Sequence, residues 1–259
     1  MTAVIFAKPR HEYASYRDLY ALIDLSGFPS VFIDEIDPQS DNAYVITILN
    51  GELPEGGYPD ARAKIVLYDL EWHLDGIPPL ANVDVWAADK WYAERLGARY
   101  VPMGSHPKLC AEMTPKRDLY DVAFFGYFDG VPRRQVIRQQ LIQRGVKVSP
   151  TGAWGAERHA LLRNSAAFLH VHQLEGAPTI APLRMVVAAA YALPVITETV
   201  ADAGIFAKHI AQADYGSIAY ETAVATQTQW EHDLLPIAHS LHQKLCIDFT
   251  FRKSVESAL

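Results

Sequence analysis

Residues 168–198, FLHVHQLEGAPTIAPLRMVVAAAYALPVITE, decide the fold. A short run of apolar β-formers opens the stretch. A polar loop follows, then a helix-length segment that is apolar nearly all round, then a second short apolar run ending on a carboxylate. Strand, loop, buried helix and strand in that order make a crossover unit, and such units build parallel α/β sheets. Ligands bind such sheets outside the carboxyl ends of the strands. The polar residues of the stretch gather there: His170, His172 and Glu175 after the first strand, Arg184 at the mouth of the helix, and Thr197 and Glu198 at the end of the second.

Outward from this unit, β-rich apolar runs keep alternating with helix-length segments. Ala3–Ala7 reads as a strand and Tyr13–Ser26 as an amphipathic helix. Strands follow at Ser30–Ile33, Tyr44–Leu49, Lys64–Tyr68 and Val83–Ala88, with a helix at Asp89–Ala98 and a short strand and turn in RYVPMGSHP. Residues 107–119 are polar and flanked by proline, and read as a linker. A second alternation starts with a strand at Tyr120–Phe125, a basic helix at Arg133–Gly145, a strand in VKVS and a short helix at Glu157–Ser165. After Glu198 come an expected helix around Gly204–Ala211, a strand in YGSIAY, and a long helix from Glu221 to about Leu245 that Pro236 should kink. The pattern predicts an α/β protein of two Rossmann-like domains with a cleft between them, over residues 1–106 and 120–245, with a tail over 246–259.

Composition narrows the function classes. The chain has 259 residues, half of them hydrophobic and only 20% charged, enough for a substantial core. A net charge of −7 argues against a surface built to grip phosphate backbones at large, though not against a local basic pocket. Cys110 and Cys246 are far apart and form no CxxC pair, so both read as thiols. No apolar run reaches the ~18–20 residues of a membrane span. The opening MTAVIFAKPRHEY is charged too soon for a signal peptide, so a cytoplasmic location is expected.

Four features of the second half carry chemistry. In FFGYFDGVPRR, Gly126 and Tyr127 lie just past a strand and Pro132 is placed to open a helix. A helix N-terminus suits a phosphate, and Arg133 and Arg134 add charge there. The spacing is not GxGxxG, which argues against a bound dinucleotide and so against an epimerase. His170 and His172 share a strand face. With no third ligand at useful spacing no metal is expected, and His172, nearer the strand end, is the better hydrogen-bonding residue beside a pocket. A guanidinium at the head of a buried helix needs an anion, so Arg184 is either salt-bridged to Glu175 or Glu198 or clamps a diphosphate. Glu198 at its strand end is placed to accept hydrogen bonds from sugar hydroxyls.

LHVHQ, LR and LPVITE together resemble the donor-binding half of GT-B glycosyltransferases, especially small group-1-like bacterial and phage members. KIVLYDLEWHLDG and VWAADKWYAERLGARYVPMGSHP resemble the stretches of that family that face the cleft and precede the interdomain linker. The chain departs from the family's pair of glutamates with seven residues between them, since that spacing from Glu198 falls on Ala190. The resemblance implies metal-independent transfer of a sugar from a nucleotide sugar, with no cofactor beyond that donor. It implies a donor site on the second domain made by Gly126, Tyr127, Arg133, His172, Glu175, Arg184, Thr197 and Glu198, and an acceptor site on the first. The tail is expected to cross back to the first domain.

A transfer that inverts configuration needs a base to deprotonate the acceptor hydroxyl. Asp69 and Glu71 flank Leu70 after a strand and share a face if the chain stays extended, and paired carboxylates can raise one pKa. They can equally be a solvated loop. His11 is the third candidate base, because histidine is the side chain most used as a general base near neutral pH, or else it is a residue of a helix start. Tyr13, Tyr16 and Trp72 could stack on an acceptor or belong to the core, and Asp89 caps a helix. The acceptor stays open between a glycan, a small molecule and a hydroxylated DNA base. A module that binds sugar or nucleotide without catalysis fits the same residues.

Overall fold

Among the described residues every strand pairing is parallel, as strands joined by crossover helices must be. The computed structural model describes residues 3–11, 16–47, 53–54, 56–70, 80–109, 119–124, 130–153 and 155–259. The chain divides into unit 1, made of Met1–Met103, Ala181–Leu183 and Phe251–Leu259, and unit 2, made of Gly104–Ile180 and Arg184–Thr250.

Unit 1 holds a six-stranded sheet of β1 (Val4–Lys8), β2 (Ser30–Phe32), β3 (Ala43–Ile46), β4 (Lys64–Asp69), β5 (Val83–Ala87) and β6 (Arg99–Tyr100). The order is β2-β1-β3-β4-β5-β6, so the winding reverses between β1 and β3. Strand alternation gives each face its own core. Ala7, Tyr44, Ile46, Ile65, Leu67 and Ala87 pack with Tyr92 and Ala93 of α2 (Lys90–Leu96). The Asp89 side chain accepts the Tyr92 N–H at 2.8 Å and caps that helix, and Gly97 ends it in the left-handed region at φ 64°. On the other face Phe6 meets Phe28 at 5.1 Å and Phe251 at 5.7 Å between ring centroids. Phe251 opens the last helix, α8 (Phe251–Ala258), which is thus part of unit 1. Arg252 of that helix donates to the Ser26 carbonyl at 3.0 Å, one residue beyond α1 (Arg17–Leu25). Tyr16 is buried at the start of α1, a core residue.

Unit 2 holds a four-stranded sheet, order β10-β9-β8-β7, from β7 (Tyr120–Phe124), β8 (Ser165–His170), β9 (Val195–Glu198) and β10 (Ala211–Ala213). Val122, Phe124, Ala167, Leu169 and Ile196 pack with Ile137 and Leu141 of α3 (Pro132–Gln143) and with Ile218, Ala219 and Ala223 of α6 (Ile218–Thr228). Between them in sequence come α4 (Ala156–Arg163) and α5 (Pro182–Ala190). Every residue of α5 from Met185 to Ala190 is buried, the outcome that a helix apolar on all sides calls for.

Four expected elements are different in the structure. The segment YGSIAY is no strand: β10 lies earlier, and Ile218 starts α6. The buried residues Ile218, Ala219, Thr222 and Ala223 fall on one helical face, and the Ser217 hydroxyl meets the Glu221 carboxylate at 2.5 Å across the first turn. The helix around Gly204–Ala211 shrinks to one 3-10 turn at Gly204–Phe206. There Gly204 sits at φ 55° and donates to Asp202 at 2.7 Å. VKVS makes a single bridge, Val148 to Val122, beside β7. The expected long helix is divided by wide π turns at Trp230–Leu234 and Gln243–Asp248, with α7 (Leu235–His242) between them. Pro236 stands in the first turn of α7, where its missing N–H opens the hydrogen-bond ladder.

Candidate functional site

β8 and β9 run in register with His170 beside Thr197, so both strands finish at one level. Nδ1 of His170 lies 3.0 Å from the Thr197 hydroxyl, and both side chains are buried. One residue further, Glu198 ends β9. Its Oε2 accepts the main-chain N–H of His172 at 2.7 Å, and its Oε1 pairs with Nη2 of Arg133 at 2.5 Å. Arg133 is in the first turn of α3, just after Pro132, which fits an N-terminal turn because it has no N–H to place. The Arg133 guanidinium lies over the ring of Tyr215, 4.1 Å from its centroid, and the Tyr215 hydroxyl donates to the Arg133 carbonyl at 3.0 Å. The neighbouring Arg134 is buried and donates from Nε to the Val171 carbonyl at 2.9 Å.

The electrostatics of this corner are cationic. Burial pushes Arg134 down to about 10, the positive charge of Arg184 adds to the shift, and Glu198 opposes it. Burial pushes Arg158 of α4 down to about 10 as well; Tyr191 opposes this and Arg184 adds to it. Both stay charged at neutral pH. His170 is pushed well below the ordinary histidine value by burial, then by Arg184, His172 and Arg134. Burial takes His172 down to about 4 against the pull of Glu198, with Arg184, Arg133 and Arg134 helping. The charge of Arg184 therefore bears on two arginines and two histidines at once. Guanidinium groups held this close in a low-dielectric corner repel one another, and an anion relieves that cost. Two nitrogens point to the same need: among the described residues, Nε2 of His172 and Nε of Arg133 are buried with no hydrogen-bond partner.

Arg133, His172, Arg184, Thr197 and Glu198 thus belong to one corner of unit 2. Glu175 lies on the exposed part of the loop after β8. Gly126 and Tyr127 lie outside the described residues. The three candidate bases belong to unit 1. Asp69 ends β4 and is 4% exposed, His11 is exposed beyond β1, and Glu71 is outside the described residues, as are Tyr13, Trp72 and Cys110. Two groups escaped the sequence. Tyr215 was hidden inside a segment with the look of a strand, and the Thr197 contact of His170 needed the register of β8 on β9. Arg134 was signalled by the basic pair after Pro132. The rings of His170 and His172 meet edge to face at 4.7 Å. Among the described residues no three His, Cys, Asp or Glu side chains group to hold a metal ion.

No protein-family description matches the sequence, and no curated protein matches it. Solved structures match it along its whole length. A glycosyltransferase from Rickettsia africae ESF-5 is similar with a TM-score of 0.59 at 8% identity, over 99% of this chain and 97% of that one. The DNA-modifying β-glucosyltransferase of phage T4 is similar at 0.57 and 12% identity, again over 99% and 97%. The lipopolysaccharide outer core galactosyltransferase WaaB gives 0.54 at 10% identity over all of both chains. The chain has the GT-B fold that these proteins share.

Proposed function

We propose that this protein is a glycosyltransferase that takes a sugar from a nucleotide-sugar donor to an acceptor hydroxyl, without a metal ion. The observation that carries the reading is the arginine corner at the ends of β8 and β9. Arg184 and Glu198 bear on Arg134 there, Glu198 pairs with Arg133, all three arginines bear on His172, and among the described residues Nε2 of His172 and Nε of Arg133 are buried without a hydrogen-bond partner. A nucleoside diphosphate leaving group has the charge and the oxygens to meet them. Fixed guanidinium groups can stabilise the charge that grows on that group as the glycosidic bond breaks. Glu198, beside the phosphates, is placed to take ribose or hexose hydroxyls. The likeness of fold to the T4 enzyme, whose substrate is UDP-glucose, supports a nucleotide-sugar donor.

In this reading the acceptor is held by unit 1, with Asp69, Glu71 or His11 as the base. Unit 1 contains 10 Lys and Arg against 17 Asp and Glu and so carries the whole net charge of −7, whereas unit 2 contains 13 of each. That balance favours an acceptor with few negative charges, a glycan or a small molecule, over a DNA base. A thermal-shift panel of nucleotide sugars tests the donor, followed by mass-spectrometric detection of its slow hydrolysis. Stabilisation with hydrolysis is expected. Stabilisation without any turnover would leave a binding module, and no stabilisation would sink the reading. Salt-dependent retention of hydroxymethylated duplex DNA would return the acceptor to nucleic acid.

A further inference from the structure

We infer that Tyr215 is a positioning residue for the diphosphate, acting through Arg133. The inference rests on the donor site just proposed. Tyr215 follows edge strand β10 and is half-buried, with its ring packed beside the core of unit 2. It holds Arg133 twice. Its ring lies under the guanidinium at 4.1 Å, and its hydroxyl bonds the main-chain carbonyl of the same residue at 3.0 Å. The two contacts fix both the plane of the side chain and the backbone that carries it.

The chemistry of stacking makes this more than packing. A guanidinium on an aromatic ring uses its face and keeps all of its N–H bonds in plane, free for oxygens. In the structure one edge of Arg133 meets Glu198 through Nη2, and Nε is buried with no partner among the described residues. When a donor takes Glu198 for its hydroxyls, that carboxylate can no longer hold Arg133 alone. The Tyr215 ring keeps the guanidinium in place through the exchange, so its N–H edge is presented to phosphate oxygens without a fresh loss of side-chain freedom.

Titration calorimetry tests this on the full chain. The ligand is whichever of UDP, GDP, ADP, CDP and dTDP most stabilises the wild type, with its nucleoside for comparison. Tyr215→Ala is expected to weaken the diphosphate about tenfold, in line with a desolvated cation–π contact, and to leave the nucleoside unchanged. Tyr215→Phe keeps the ring and is expected to recover most of that loss. In an Arg133→Ala background, Tyr215→Ala should add nothing, because the two residues act as one. Diphosphate binding by Tyr215→Ala equal to the wild type overturns the inference and leaves the donor site standing. Equal losses for diphosphate and nucleoside, with no coupling to Arg133, also overturn it and reduce Tyr215 to a packing residue. A wild type that binds none of the diphosphates overturns the donor site and the inference together.

Discussion

The main-chain N–H of His172 donates to Glu198 at 2.7 Å, which ties the first residues beyond β8 to the last residue of β9. One carboxylate thereby sets the height of the loop that carries His172 and neutralises Arg133 on its other oxygen. Breaking the pair from the Glu198 side leaves a guanidinium only 19% exposed without its carboxylate. Glu198→Ala should cost about 3 kcal/mol, the scale of a broken buried pair. Glu198→Gln keeps an acceptor for the His172 N–H and should cost roughly half as much. Urea unfolding checks both. Equal, negligible losses would mean that water replaces the carboxylate.

Arg184 is the first test of the proposed donor site. Arg184→Ala should weaken the best nucleoside diphosphate about 10–100-fold, the worth of a charge-assisted hydrogen bond or two, and abolish its thermal shift at matched concentration. An unchanged shift in this variant would remove Arg184 from the donor site.

Two buried histidines tie stability to pH. Both His170 and His172 have folded values below the ordinary 6.5, the latter at about 4. The unfolded chain therefore binds more protons in that window, and stability rises with pH through it. It should be full above about pH 6.5 and fall steadily towards pH 4, because both rings are buried neutral. Melting temperatures taken across that range should flatten in His172→Gln, which cannot be protonated. A variant with the same slope as the wild type would show that other groups set the acid limb.

Asp69 separates chemistry from donor binding. If it is the base, Asp69→Asn should slow transfer by about 100-fold or more and leave nucleoside diphosphate affinity as it was. His11→Ala serves as the control. A large fall in that variant, with Asp69→Asn near wild type, would move the base to His11.

The last helix can be tested by its anchor. Phe251 is fully buried, and its ring lies 5.7 Å from that of Phe6 and 6.3 Å from that of Phe28. Phe251→Ala should cost about 3–5 kcal/mol of unit 1 stability, and Phe251→Leu much less. Calorimetry that can resolve two transitions would show the loss in one of them.

The parts of this fold that sequence makes legible are those fixed by local chemistry. The apolar run Met185–Ala190 had to be a buried helix, Asp89 had to cap, and Pro132 had to open a turn that presents Arg133. Glu198 stood out because a carboxylate follows the short β-forming run Val195–Thr197. Tyr215 did not, because Tyr, Ile and Tyr in YGSIAY favour a strand, whereas the helical face of Ile218, Ala219 and Ala223 wins once it has α3 and the sheet to pack on. The site's field was equally out of reach. That Arg184 acts on Arg134 and Arg158 depends on how α3, α4 and α5 are brought together around the strand ends, and no spacing along the chain encodes those distances.

The place of Phe251 in unit 1 also has a kinetic meaning. The aromatic cluster that covers one face of the six-stranded sheet joins residues 6 and 28 to residue 251. On the ribosome, the whole of unit 2 is synthesised before that ring is added. Unit 1 must wait with Phe6 and Phe28 uncovered while some 220 further residues are added at ~5–20 per second, which exposes an aromatic surface for roughly ten seconds or more. Closure of so long a loop is slow by topology, so the first unit made should be the last to finish folding, and chaperones have their chance in that interval.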